Sequence, residues 1–228
     1  MKITTSVAKI HQQGRPLIST LLLVAALLGL FAFSIKLSTW QDYVDSDFFS
    51  FWLAGHMVVN GQNPYAEEAW VEGHRQQAAD WISDPTFLYP LPLAILFSAI
   101  GLLPLLQGYI VWQFLSQVLI LLSVALLLSI WKGDQLKHYV LPVLAGVLVF
   151  RPVISTIQYG QVGALWFFLL ALVAYFWEKG HWTWGGIILP LVALKPSYGL
   201  IIVGLASIWL ILRKERKAIK GGIGSMAG

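Results

Sequence analysis

The sequence predicts an all-α polytopic membrane protein of about six transmembrane helices, and three observations carry that prediction. Apolar residues make up 57% of the chain and charged residues only 11%, against about 25% charged in ordinary soluble domains. Mean hydropathy is +0.71. The cations gather at the ends of apolar runs: Lys2, Lys9 and Arg15 before the first, Lys132 and Lys137 after a middle one, and Arg213, Lys214, Arg216, Lys217 and Lys220 after the last. This is positive-inside punctuation. The net charge of +4 therefore sets topology and is not a nucleic-acid footprint. With no cysteine in the chain, disulfides and thiolate chemistry are excluded.

A helix needs ~20 apolar residues to cross ~30 Å of hydrocarbon. Residues 17–35 qualify as the first span. The run exceeds the ~7–15-residue core of a signal peptide, so it reads as an anchor despite the small-x-small site at Ala32-Phe33-Ser34. Eight of the eleven acidic residues follow, at Asp42, Asp45, Asp47, Glu67, Glu68, Glu72, Asp80 and Asp84, with Arg75 the one Lys or Arg among them. Residues 37–108 thus form a large first extracytoplasmic loop. Inside it, residues 47–59 read as an interfacial helix that stops at the turn signal Asn60-Gly61.

After Pro90-Leu91-Pro92, residues 93–103 are too short to span and read as a helix at the outer interface. Residues 109–131 are long enough to cross. Residues 140–157 and 162–177 form a tight hairpin through Gln158-Tyr159-Gly160-Gln161. The 29 residues 184–212 are interrupted at Lys195-Pro196, because proline disfavours helix in the residue before it. The two pieces pass out and back, giving six spans, both termini cytoplasmic, and a single membrane domain over residues 1–228. The glycine-rich tail 221–228 reads as flexible.

In this layout the acidic loop, Tyr89-Pro90, the Gln158–Gln161 turn and Lys195 all face the outer side. Lys195, beside an unwound stretch of helix, suits a phosphate clamp. Arg151 lies well inside its span, where a charge costs ~2.5–3.5 kcal/mol on insertion scales. It either faces a polar cavity or an anion, or snorkels to the headgroups. Asp47 sits in the first turn of its helix, as a reactive carboxylate or as a helix-start acid worth ~0.3–1 kcal/mol; spacing alone does not separate the two. Glu67, Glu68, Glu72, Asp80 and Asp84 read as a solvated loop face. His56 and His74 form no HxxxH or HExxH pair, and there is no P-loop or GxGxxG, so neither zinc nor a soluble nucleotide is expected.

Four motifs occur in order: D-F-x-x-F-W-x-A-G-x-x-x-x-x-G-x-x-P-Y over residues 47–65, F-L-Y-P-x-P over 87–92, Gly160-Gln161, and Leu194-Lys195-Pro196. Together they resemble the family 87 glycosyltransferases, membrane enzymes of the glycosyltransferase C superfamily. The resemblance covers roughly residues 17–215. It implies a multi-span fold with interfacial helices in its first loop, a polyprenyl-phosphate sugar donor (typically mannose) and an inverting transfer. It also implies that the aspartate after the first span is the catalytic base. Asp47 matches that position, with Asp45 two residues away as the alternative. Such enzymes are usually much longer, so this chain is expected to be the shared N-terminal core, as a truncated copy, a fragment or one part of a split enzyme.

The residues present can meet that chemistry. A lipid-phosphate leaving group needs no general acid, one carboxylate suffices to take the acceptor proton, and the departing phosphate needs cations. Asp47 would be the base. Lys195, with Arg151 and Gln161, would hold the phosphate, and Tyr89 and Gln158 would bind the substrate. No metal and no organic cofactor is demanded. The expected partners are the donor, a lipid or glycan acceptor and membrane lipids, in a bacterial plasma membrane serving the cell envelope. The competing reading is a non-catalytic lipid-sugar transporter or scaffold. A carrier would place charged or broken elements on both halves of the membrane, whereas here they lie on one side.

Overall fold

The computed structural model describes residues 24, 28, 43–79, 82, 84–131 and 140–226. Most of the expected first span, Asp42, Asp80, Lys132 and Lys137 lie outside them. Every regular element among the described residues is helical: α1 Asp47–Val59, α2 Glu67–Gln76, α3 Leu91–Gly101, α4 Leu105–Ile130, α5 Val140–Val149, α6 Arg151–Gln158, α7 Gly163–Glu178, α8 Trp182–Ile188, a 3₁₀ segment Leu189–Leu194, α9 Pro196–Leu212 and α10 Arg216–Met226.

Among the described residues one helix, α4, is long and apolar enough to cross a bilayer by itself, with 26 residues, or roughly 39 Å of rise. One side of it is exposed hydrocarbon, at Val111, Phe114, Leu115 and Leu122. The other side is buried and polar, at Gln113, Ser116, Gln117 and Ser123. Ser123 donates to the Leu119 carbonyl at 2.6 Å. Among the described residues, both amide atoms of Gln113, the Ser116 hydroxyl and the Gln117 amide nitrogen make no hydrogen bond.

The expected helix 47–59 forms over those residues, but protein takes up its apolar surface. Phe48, Phe49, Phe51, Trp52, Leu53, Ala54 and Met57 are all buried. A helix resting on lipid would keep a face free for it. Instead α1 packs against α3 through reciprocal glycines. A Cβ on Gly55 would come within 2.5 Å of the Phe97 carbonyl oxygen. A Cβ on Gly101 would run into the backbone nitrogen of His56. Small residues let helix backbones approach this closely. The crossing is tied by Trp52 Nε1 donating to the Leu103 carbonyl at 2.9 Å and by His56 Nδ1 donating to the Gly101 carbonyl at 2.9 Å.

Three expectations need correction. The run 140–157 is not one helix but α5 and α6, parted at Phe150, whose backbone is extended at φ −70°, ψ 118°. Pro152 explains the break: it lacks an N–H and its ring crowds the carbonyl four residues back. Arg151 therefore opens a short helix, exposed, rather than sitting deep inside a continuous one. The acidic stretch from Glu67 is a helix, α2, with Glu67 and Glu68 in its first turn and His74 and Arg75 in its last, matching the helix dipole at both ends. Much of the supposedly flexible tail belongs to α10, whose glycines permit a close crossing with α8. A Cβ on Gly221 would strike the Thr183 carbonyl, and one on Gly186 the Ala218 carbonyl.

The chain turns by 119° between α6 and α7, through Gly160 at φ +61°. The interruption at Lys195-Pro196 is present, with Lys195 at φ −106°, ψ 89° between the 3₁₀ segment and α9. There the chain reverses. Trp182 at the start of one arm and Trp209 near the end of the other lie 6.2 Å apart, and both stack on Trp177 of α7. At the opposite end of the same bundle, Trp166 Nε1 donates to the Val192 carbonyl at 3.0 Å. Lys195 is thus the apex of a helical hairpin, at the α7 end that begins with Val162.

Candidate functional site

Ser46 precedes α1 in extended conformation, and its hydroxyl donates to the Tyr43 carbonyl at 2.7 Å. This sets Asp47 as the first residue of the helix with its side chain exposed, where the dipole favours a carboxylate. The next residue anchors the helix start to the α6–α7 turn: Phe48 N–H donates to the Tyr159 carbonyl at 3.1 Å. Gly160 presses on Phe48 so closely that a Cβ would overlap Phe48 Cβ. From α4, Trp112 Nε1 donates to the Gly160 carbonyl at 2.8 Å and the Tyr109 hydroxyl to the Gln158 carbonyl. Tyr109 also meets Phe48 edge-on, with centroids 5.5 Å apart. The start of α1 is therefore held in register with the turn by three side-chain or backbone donors and one glycine.

On its open side Asp47 lines a cleft of about 310 Å³ with Val44, Asp45, Ser46, Phe49, Ser50 and His74. Asp45 shares this cleft, so position alone does not choose between the two aspartates. His74 is buried, edge-on to Phe49 with centroids 5.1 Å apart. Its Nδ1 lies 2.9 Å from the Trp70 carbonyl, which can only accept, so Nδ1 carries the proton and Nε2 is the lone-pair nitrogen of the neutral ring. Burial pushes His74 below its ordinary 6.5, and the Trp70 hydrogen bond offsets part of that. Sequence reasoning weighed His74 only as a zinc ligand and missed this placement; the packing of α2 against Phe49 of α1 leaves no local sequence signal.

The sign of that shift gives a pH dependence. A histidine whose folded value is depressed takes up fewer protons folded than unfolded, so its contribution to stability is present above about pH 6.5 and is lost as pH falls through the folded value. The thermal midpoint in detergent should drop as pH is lowered from about 7.5 to about 5.5, and His74→Gln should flatten that slope. An undiminished slope in His74→Gln would assign the effect to other groups.

Tyr89 closes the other side of α1. It is half-buried, its ring edge-on to Phe51 with centroids 5.0 Å apart. The Tyr65 hydroxyl donates to its carbonyl at 2.6 Å. Burial, then the carboxylates of Asp47 and Asp84, raise the Tyr89 phenol above its ordinary 10.0, so it keeps its proton and can donate. Glu67, Glu68 and Glu72 are exposed on α2, and Glu72 pairs with Arg75 at 3.0 Å.

Lys195 is half-buried and lines an apolar crevice with Leu93, Val162, Leu165, Trp166, Leu169 and Leu194. Leu194, Val162, Phe87 and Tyr89 all pack into the cluster built on Phe48, Phe51 and Trp52 of α1. The four sequence motifs thus meet in one core, with Asp47, Tyr89, Gln161 and Lys195 around it. Arg151 does not join them. It is exposed at the far end of α6, about 12 Å along the helix axis from the turn. Among the described residues no group of three His, Asp or Glu side chains is placed to hold a metal ion.

The family model for glycosyltransferase family 87 matches residues 87–228. No curated protein and no solved structure gives a match. The matched segment contains the F-L-Y-P-x-P, Gly160-Gln161 and Leu194-Lys195-Pro196 motifs and leaves Asp47 outside it. Members of this family are membrane proteins that transfer sugars, in keeping with the apolar span α4. With more than half of its length matched, the chain belongs to glycosyltransferase family 87.

Proposed function

We propose that this glycosyltransferase moves a hexose, mannose by resemblance, from a polyprenyl-phosphate donor to an extracytoplasmic lipid or glycan acceptor with inversion, using Asp47 as its base. The observation that supports this most is the meeting of all four motifs around the start of α1, where Asp47, with Asp45, borders a cleft and one lysine marks a nearby helix break. In this reading the acceptor oxygen attacks the anomeric carbon from the face opposite the phosphate, and Asp47 takes the hydroxyl proton. The bond from the anomeric carbon to the phosphate oxygen breaks, and the electron pair leaves with the lipid phosphate. Lys195 balances that charge, with Gln161 beside it. Tyr89, kept protonated by burial and its acidic neighbours, donates to sugar or phosphate, as does the Gln158 side chain. The layout proposed with it has six spans and both termini cytoplasmic.

The donor assignment is tested by affinity. Losing a charge-assisted contact costs ~1.5–3 kcal/mol, about tenfold or more in affinity. Lys195→Gln should bind a short-chain polyprenyl-phosphate mannose at least about tenfold more weakly than the unsubstituted chain, and a nucleotide-linked mannose should compete with neither. If folded Lys195→Gln binds within about twofold, the clamp lies elsewhere. If the nucleotide sugar competes, the donor class is wrong. A protein that binds the lipid donor yet never transfers sugar would favour the carrier or scaffold reading.

A further inference from the structure

At the end of the bundle away from Lys195, five cations fall within eight residues: Arg213, Lys214, Arg216, Lys217 and Lys220, with Glu215 the single acid among them. All five are exposed. Among the described residues none of the five is paired with a carboxylate, and Arg213 lies over the Trp209 ring at 4.9 Å from its centroid.

Two of these charges, and the choice of lysine at a third position, run against local energetics. Lys214 has φ +59°. It closes α9 in a Schellman turn, its own N–H donating to the Ile211 carbonyl and the Glu215 N–H to the Leu210 carbonyl, each at 3.0 Å. Glycine is the usual residue at that position. Arg216 and Lys217 open α10, the helix end at which the dipole disfavours cations. Two cations against the dipole and a lysine where glycine is usual, all within four residues, point to a compensating interaction at this end of the bundle.

The surroundings identify it. Inward, Ala218 and Ile219 of α10 pack with Leu210, Trp177 and Trp182. Trp182 and Trp209, both stacked on Trp177, cap this end of the bundle, and tryptophan concentrates at the membrane–water boundary. Alongside, α9 exposes Leu200, Ile201, Leu205, Ile208 and Leu212, a lipid-facing strip in a membrane protein. The cations start one residue beyond that strip, at the level of the headgroups. They are separated from Lys195 by the whole of α9, 17 residues or roughly 25 Å, so they belong to a different leaflet from the donor clamp.

We propose that Arg213, Lys214, Arg216, Lys217 and Lys220 form a platform that binds anionic phospholipid headgroups at the end of the bundle opposite the donor site. The cations attract the anionic surface while the tryptophans and the α9 strip fix the depth. A free polyanion in bulk water would have no use for the adjoining hydrocarbon, which is why lipid is the favoured occupant.

The test is native mass spectrometry of the purified full chain with phosphatidylglycerol or phosphatidylcholine, with inorganic phosphate as competitor. The unsubstituted protein should prefer phosphatidylglycerol by about tenfold or more, weakening as salt is raised, with phosphate unable to displace it. R213Q/K214Q/R216Q/K217Q/K220Q should bring the two lipids within about twofold of each other. Because that variant can fail to fold, K214G/R216Q/K217Q is run beside it. It removes only the locally unfavourable cations, should unfold no earlier than the parent, and should cut the preference at least about threefold. Full retention of the preference in the folded triple variant overturns the proposal. Displacement by inorganic phosphate overturns it too, since the site would then bind phosphate and not lipid.

Discussion

Asp47→Asn should slow sugar transfer by at least ~10²-fold while leaving donor affinity close to that of the unsubstituted chain. The amide keeps the shape and hydrogen-bonding capacity of the carboxylate but cannot accept the acceptor's proton, and general-base assistance is typically worth ~10²–10⁴ in rate. Transfer is read with radiolabelled polyprenyl-phosphate mannose in membranes, affinity with the same lipid in detergent. Asp45→Asn is the necessary comparison, because both carboxylates line the cleft beside His74. It should be mild: Asp45 precedes the helix, whereas Asp47 is its first residue and one of the charges felt by Tyr89. A dead Asp45→Asn beside a fully active Asp47→Asn would reverse the assignment.

The second large effect is expected at Gly160, where backbone conformation and close packing coincide. Alanine there must adopt φ +61°, at ~1–2 kcal/mol, and must also displace Phe48, with overpacking adding typically ~1–3 kcal/mol. Gly160→Ala should therefore lower stability by roughly 2–5 kcal/mol in thermal or denaturant unfolding. Phe48 is adjacent to Asp47 and donates to the turn, so the displacement moves the Asp47 carboxylate, the proposed base, too. A shift near 1 Å is enough to cost ~10² in rate, so transfer should fall even at temperatures where the variant is folded. Gly180→Ala separates the two contributions. It has φ +77° and nothing within 4 Å of an added Cβ, so it should show the conformational penalty alone, about 1–2 kcal/mol with activity kept. Equal behaviour of the two variants would mean that the contact between the turn and α1 carries no weight.

What the sequence made legible was punctuation. Asn60-Gly61 ends α1 where expected, and Lys195-Pro196 marks the hairpin apex, because turn residues and proline act within a few residues of themselves. Pro152 carried the same kind of signal, but it lay inside an unbroken apolar run, and hydropathy masked the break at Phe150. The α2 helix was hidden by its polarity: Glu67 and Glu68 read as solvent-facing, which they are, yet acids in a first turn are also a helix-start signature. α10 was hidden by glycines that read as flexibility in one dimension and serve as crossing points in three. In the candidate site, motif order singles out Asp47 and Lys195, and the fold brings their neighbours Phe48 and Leu194 into one core. The burial of His74 and the exposure of Arg151 depend on which helices meet, and no window of sequence contains that.

The polar row on α4 bears on how the protein is made. Gln113, Ser116 and Gln117 fall on one helical face, buried in the finished fold, and the Gln113 amide, the Ser116 hydroxyl and the Gln117 amide nitrogen have no hydrogen bond among the described residues. On first entering lipid, α4 would present that face to hydrocarbon, where a polar group lacking a partner costs ~1–3 kcal/mol. The helix that later packs most extensively against α4 is α7, which emerges from the ribosome more than thirty residues after it. Packing gives these polar atoms no hydrogen bonds from the described residues, so the cost that α4 carries into lipid is still there in the finished fold.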